Sequence, residues 1–255
     1  MSAAAEAALL CRGQRAEIRK AVSELRRRAA NAILVAEYTV AQIVLANKNF
    51  YAQSRLMSQG KRAAAHRRRG PSIGNYRQSI GLLGCGMIGS GVAKMLQAYD
   101  VSVRVYDPFL PPEKAAQLRV TPCTLPEFFA ECHVVSNHLA NLPATRTILC
   151  YEHFASMQPF ATFLNTGRGA QVVERGLARA LAEREDLTAV LDVTDPEPPE
   201  PGHQFYTLPN CILTPPVAGR EVTRMAAYMI QEFERVSAGR PAQYEVTTAM
   251  LETMA

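Results

Sequence analysis

Three glycines, in the run Gly84-Cys85-Gly86-Met87-Ile88-Gly89, sit between an apolar stretch, SIGLLG, and a helical pattern, GSGVAKMLQAY, and they constrain how this part of the chain folds. The first glycine of such a run turns the chain sharply out of a strand. The second removes a side chain where a phosphate approaches, and the third lets the following helix pack against the sheet. The helix N-terminus then offers unpaired N–H groups and a partial positive charge to an anion. A second apolar run, VSVRVYD, ends in Asp107, about 20 residues on, where a carboxylate accepts hydrogen bonds from ribose hydroxyls and repels a 2′-phosphate. The bland alternative is a tight turn with an acidic strand end and no ligand. The order strand, turn, helix, strand, acid favours a dinucleotide site that takes NAD in preference to NADP.

From Gln78 onward apolar runs at 79–83, 101–106, 133–139, 162–166, 188–193 and 211–214 alternate with helical patterns near 86–99, 124–131, 145–157 and 171–184. That alternation predicts a Rossmann-type, doubly wound parallel sheet of the α/β class, covered on both faces. Before it, a helix from about Asn31 to Met57 carries Ile33, Leu34, Tyr38, Val40, Val44 and Leu45, an apolar face broad enough to pack on a domain or a partner subunit. We divide the chain into a basic helical segment, 1–30, a dinucleotide-binding domain, 31–219, that includes the helix 31–57, and a C-terminal helix with a return segment, 220–255. In an open sheet of this kind ligands bind beyond the strand carboxyl ends. Four groups stand there: Asn137-His138, Thr166 to Gly169, Asp192 to Glu197, and Thr214-Pro215-Pro216.

The chain of 255 residues is 48% hydrophobic and 20% charged, an ordinary globular balance. Its six cysteines form no CxxC pair and no His stands at ligand spacing, so neither a disulfide framework nor a metal site is indicated and a reducing cytoplasm fits best. The apolar stretch from Ala32 is broken by Glu37 and reads as too short to span a bilayer, and no signal peptide precedes it. The formal net charge of +5 is concentrated in the first third, with RRR at 26–28 and HRRR at 66–69. Without aromatic interleaving or a nucleic-acid motif, these read as solvated helical faces rather than a nucleic-acid surface.

Taken together these motifs resemble the NAD-dependent D-isomer-specific 2-hydroxyacid dehydrogenases, the family that includes phosphoglycerate dehydrogenases and glyoxylate or hydroxypyruvate reductases. VAEYTVAQIVLANKN is similar to the family's interdomain and dimer-interface helix, and IGLLGCGMIGSGVAKML to its dinucleotide fingerprint. HVVSNHLANLPATRTIL, FLNTGRGAQVVERGLARAL, LDVTDPEPPEPGH and LPNCILTPPVAG follow in family order. The resemblance implies that Gly84, Gly86, Met87, Ile88 and Gly89 cradle the pyrophosphate, Asp107 holds the adenosine ribose, His138, Thr166 and Gly167 line the cofactor, and Asp192 bonds the nicotinamide carboxamide. It further implies a homodimer, a small 2-oxo or 2-hydroxy acid as substrate, Arg168 as the group that clamps and polarises it, and Glu197 as the acid that orients the catalytic histidine. Read without the family register, Arg168 and Glu197 are solvated charges.

Two departures stand against full activity. LTPPVAG puts Pro216 where the family pattern has its histidine, and proline has no titratable group to protonate a nascent alkoxide. Arg168 cannot take over, because a guanidinium does not deprotonate in proteins, and His203 is the one histidine close in sequence to this loop. Only a remnant of the family's second, substrate-binding domain is recognisable. The expected function is therefore that of a D-2-hydroxyacid dehydrogenase type oxidoreductase whose catalysis is called into question by Pro216. The alternative is a non-catalytic NAD(H)-binding or dimerising pseudoenzyme.

Overall fold

The computed structural model describes residues 30–61, 74–220 and scattered positions between 226 and 241. The basic clusters at 26–28 and 66–69, most of the final helix and the return segment lie outside the described residues. Two helices, α1 (Ala30–Asn47) and α2 (Phe50–Ser58), lead into β1 (Gln78–Leu83). Then follow α3 (Met87–Leu96), β2 (Val101–Tyr106), α4 (Pro112–Leu118), β3 (Thr121–Pro122), α5 (Leu125–Glu131) and β4 (Val134–Asn137). The rest is α6 (Tyr151–Ala155), β5 (Thr162–Asn165), α7 (Glu174–Glu183), β6 (Thr188–Leu191) and β7 (Cys211–Leu213). The strands form one seven-stranded sheet in the order β3-β2-β1-β4-β5-β6-β7, every pairing parallel.

That order reverses at β1, which pairs with β2 on one side and β4 on the other, in the register Ile80 to Val134 through Leu83 to Asn137. The two chains leaving β1 and β4 part in opposite directions and open a crevice at their carboxyl ends. Side chains alternate across the sheet as a pleat requires. Leu83, Val135, Phe163 and Leu191 enter one core with Phe128, Phe129 and Phe154, while Leu82, Val134, Leu164 and Val190 enter the other with Val92, Leu96 and Ile43. Burying a phenylalanine of this kind contributes roughly 1.5–3 kcal/mol. Strands sandwiched between two cores have no polar face, which is why they read as continuous apolar runs.

The helix expected over 31–57 is two helices. Asn49 adopts a left-handed conformation, φ 51°, which asparagine tolerates better than most residues. The Asn47 carbonyl accepts from Gly74 N–H at 2.8 Å, and its side-chain amide donates to Asn75 at 2.9 Å. The buried stripe of α1 is also rotated from the expected one. Of the six apolar residues assigned to that face only Leu34 and Val40 are buried, beside Ala32, Val35, Ala36, Ile43 and Ala46, whereas Ile33, Tyr38, Val44 and Leu45 are half-exposed. Alanines close to the partner surface make the contact: a Cβ on Gly91 of α3 would lie 3.2 Å from the Ala36 Cβ. By length and composition α1, with 18 residues, does reach the size of a membrane span, correcting the expectation that the run is too short; 56% of it is buried in the domain. Large side chains describe a helix's greasiness, but small ones decide which side can approach a neighbour.

Candidate dinucleotide site

The three glycines each meet a different demand. Gly84 leaves β1 at φ +86°, and a Cβ there would lie 2.8 Å from the His138 carbonyl oxygen. Gly86, at φ −68°, precedes α3, and a Cβ on it would have nothing within 4 Å. A Cβ on Gly89 would stand 2.1 Å from the Gly84 carbonyl oxygen, so only glycine lets α3 pack onto the turn. The first N–H groups of a helix have no intrahelical acceptor, and the first turn of α3 carries no acidic side chain to occupy them. The turn therefore presents an open, positively polarised face at Gly86, Met87 and Ile88. Those are the features a pyrophosphate needs, so the residues present fit a dinucleotide.

Asp107 follows β2 and leans into the turn. Its Oδ2 accepts from Cys85 N–H at 2.7 Å and its Oδ1 from Phe109 N–H at 2.9 Å. Across the crevice a set of buried amides, of which sequence reasoning singled out Asn137 but not Asn165 or Gln171, fixes the loops after β4 and β5. The Asn137 amide donates to Asn165 Oδ1 and to Gln171 Oε1, both at 3.0 Å. Asn165 Oδ1 also accepts from Gly167 N–H at 3.2 Å, and its amide donates to the Arg168 carbonyl at 3.2 Å. The available signal was the pair of asparagines at the carboxyl ends of two strands, and these are register partners.

Above these amides runs a chain of hydroxyls. Thr39 of α1 and Thr166 lie 3.1 Å apart through their Oγ1 atoms, Thr166 Oγ1 is 3.4 Å from His138 Nδ1, and His138 Nε2 is 2.9 Å from Ser136 Oγ. Burial pulls the His138 pKa down from 6.5 to about 3, so the ring is neutral. His138 and Thr166 thus stand just beyond the carboxyl ends of β4 and β5, with their side chains engaged inside the protein.

Asp192, at the end of β6, is buried and accepts three hydrogen bonds. Oδ1 takes Thr214 Oγ1 at 2.7 Å and Val217 N–H at 3.0 Å, and Oδ2 takes Ala218 N–H at 3.1 Å. This carboxylate thereby holds the loop that contains Pro216. Tyr38 of α1 reaches the same loop, its hydroxyl 3.4 Å from Thr214 Oγ1, and burial raises its pKa above 10.0. Arg168 is exposed, its Nη1 donating to the Gly167 carbonyl at 2.9 Å, and Glu197 is exposed in the loop after β6. No ion pair joins Arg168 to Glu197 among the described residues. His203 Nδ1 accepts from Phe205 N–H at 3.3 Å and Nε2 lies 3.5 Å from Glu174, so this ring faces α7.

With this geometry in place, residues 40–218 match the family model described as "D-isomer specific 2-hydroxyacid dehydrogenase, NAD binding domain". The chain belongs to this dehydrogenase family. The matched unit is its NAD-binding domain, and the glycine turn and Asp107 lie inside it.

Among curated members, the chain is 32% identical over 187 residues to D-3-phosphoglycerate dehydrogenase of Methanocaldococcus jannaschii, covering 73% of this chain and 35% of the relative. It is 33% identical over 143 residues to human glyoxylate reductase/hydroxypyruvate reductase, covering 56% and 44% respectively. Among solved structures, D-lactate dehydrogenase of Lactobacillus jensenii with NAD+ superposes with a TM-score of 0.67 at 25% identity, over 85% of this chain and 69% of that one. The chain spans less than half the length of these two curated relatives.

Proposed function

We propose that this dehydrogenase-family chain binds NAD(H) with Gly84, Gly86, Met87, Ile88 and Gly89 around the pyrophosphate and Asp107 on the adenosine ribose. The observation that carries this reading is the open face at Gly86 beside two glycines that no Cβ could replace without meeting backbone. His138, Thr166 and Gly167 line the nicotinamide side of the crevice, and Asp192, with one oxygen carrying a single hydrogen bond, keeps capacity to accept from the carboxamide. When bound, NADH supplies the hydride in reduction of a small 2-oxo acid. The chain's part in that reaction is to hold the acid's carboxylate and polarise its carbonyl with Arg168, whose planar fork suits both tasks, while Glu197 marks the position of the family's orienting acid.

Pro216 favours a second reading. It occupies the loop held by Asp192, faces solvent and carries no proton, and loss of a positioned acid lowers rates by roughly a hundredfold to ten-thousandfold. The protein then retains the cofactor without turning substrate over. One experiment tests both readings: calorimetric titration with NADH, beside NADH oxidation with glyoxylate, hydroxypyruvate or 3-phosphohydroxypyruvate by the natural chain and by Pro216→His. We expect binding at micromolar NADH, an order-of-magnitude figure for ordinary affinities of about −8 kcal/mol. We also expect turnover only after Pro216→His. Absence of binding refutes the cofactor reading, and robust turnover by the natural chain refutes the pseudoenzyme.

The half-exposed Ile33, Val44 and Leu45 of α1, with Phe50 and Met57 of α2 about half-exposed, support a homodimer through these helices; a monomer in sedimentation equilibrium would overturn it. Free cysteines and the packing of α1 support a cytoplasmic location, which recovery of the chain in a membrane fraction would contradict.

A further inference from the structure

The NAD preference read from Asp107 assumes that a lone carboxylate faces the adenosine ribose. The structure adds a cation to the same subsite. Lys114, on the first turn of α4, extends back over the glycine turn, and its Nζ donates to the Cys85 carbonyl at 2.8 Å. The N–H of that same residue donates to Asp107 Oδ2 at 2.7 Å. Ammonium and carboxylate therefore grip opposite ends of one residue in the fingerprint, and both carboxylate oxygens are already engaged by backbone N–H groups, from Cys85 and Phe109. Lys114 is half-buried and held by a hydrogen bond, so its charge is localised at the turn rather than spread over the reach of a free lysine. No ion pair ties it to a carboxylate among the described residues, which leaves the charge available to a ligand.

We propose that Lys114 is a specificity-determining residue that makes this dinucleotide site accept the 2′-phosphorylated cofactor alongside NAD(H), by placing an ammonium group beside the ribose-binding Asp107. A 2′-phosphate brought up to Asp107 alone meets like charge. With Lys114 on the neighbouring carbonyl, the subsite holds one charge of each sign, and two of the ammonium's three N–H donors remain for phosphate oxygens. Attraction between unit charges at hydrogen-bond range amounts to about 1 kcal/mol even at the dielectric of water and several times that near a protein surface. NADPH affinity should then fall by roughly tenfold when the cation is removed. NADH carries a neutral hydroxyl at that position and should respond little.

This inference rests on the NAD(H)-site reading above. Its test is direct binding of NADH and NADPH, followed by calorimetry or by nucleotide fluorescence, to the full chain and to its Lys114→Met and Lys114→Arg variants, with thermal melts confirming that each is folded. Three results together are expected: both cofactors bind the natural chain with affinities within about tenfold of each other, Lys114→Met weakens NADPH about tenfold while NADH changes less than about twofold, and Lys114→Arg retains NADPH. Parallel loss of both cofactors in Lys114→Met would make the lysine a brace for the turn and overturn the proposal, as would no change in either. If the natural chain binds neither cofactor, the site reading itself falls and takes the proposal with it; if it binds only NADH, the site reading survives and the proposal does not.

Discussion

One methyl group, added at Gly86 or at Gly89, separates the glycine that shapes the turn from the glycine that admits the ligand. A Cβ on Gly89 would lie 2.1 Å from the Gly84 carbonyl oxygen, whereas ordinary contact begins at 3.4 Å. The atom in the way is backbone, in a turn held by Gly84 N–H to Tyr106 O at 2.9 Å, so α3 must slide off the turn by more than 1 Å. Overpacking of this kind costs about 1–3 kcal/mol, and a rigid obstacle puts Gly89→Ala at the upper end. At about 2–4 °C per kcal/mol for a chain of this size, the melting temperature drops by roughly 6–12 °C. Gly86→Ala meets nothing within 4 Å and sits at φ −68°, where alanine is at ease, so its stability should stay within about 0.5 kcal/mol. The new methyl projects into the space assigned to the pyrophosphate, and NADH affinity should fall by at least about tenfold. Urea unfolding of both ligand-free variants and NADH fluorescence titration of Gly86→Ala make the measurement. The reasoning is refuted if Gly86→Ala destabilises as much as Gly89→Ala, or if it binds NADH as well as the natural chain.

Asp192→Ala leaves the Val217 and Ala218 N–H groups and the Thr214 hydroxyl without their acceptor. At about 1–3 kcal/mol for an orphaned buried donor, in full for Ala218 and less for the half-buried Thr214 and Val217, a loss of roughly 2–4 kcal/mol is expected in urea unfolding; an unchanged midpoint would show that the loop is held by other means. His138 supplies a pH dependence. The unfolded imidazole takes up a proton near pH 6.5, while the folded one resists until about 3. The unfolded state therefore binds more protons in that window, and stability falls as pH falls through it, by about 1.4 kcal/mol per unit, or about 2 kcal/mol between pH 6.5 and 5. His133, also lowered by burial, adds in the same sense. His138→Gln should remove the His138 share of that slope, and urea midpoints with the same pH dependence in both proteins would disprove it.

Local signals announced the strongly periodic parts of the fold and failed where elements are short. The strands at 79–83, 101–106, 162–166 and 211–214 end within a residue or two of β1, β2, β5 and β7, because strands buried in the sheet are dominated by apolar residues, with β2 alternating through exposed Ser102 and half-buried Arg104. The seven residues of α4 and the two of β3 were not anticipated, being too short to show a period; Pro122 is accommodated because β3 is an edge strand. The helix expected over 145–157 contracts to α6, preceded by a single 3-10 turn at Pro143–Thr145. At the site the glycines and Asp107 were legible because their chemistry is written in adjacent residues. Asn165, Gln171, Thr39 and Lys114 were not, because nothing in their own neighbourhood marks them; each matters through a partner that is distant in sequence.

Sequence alone determined that this chain builds a parallel sheet with a glycine turn after its first strand, and that the loop after β7 carries Pro216, where the family resemblance expects a histidine. Those are properties of spacing and of residue type, and they survive any rearrangement of the rest. Tertiary structure alone decided which side of α1 is buried, which amides lock the crevice, and that a lysine shares the fingerprint turn with Asp107. Such features depend on the direction in which side chains leave a folded backbone, and a linear order of residues does not encode that direction until the sheet has brought its strand ends together.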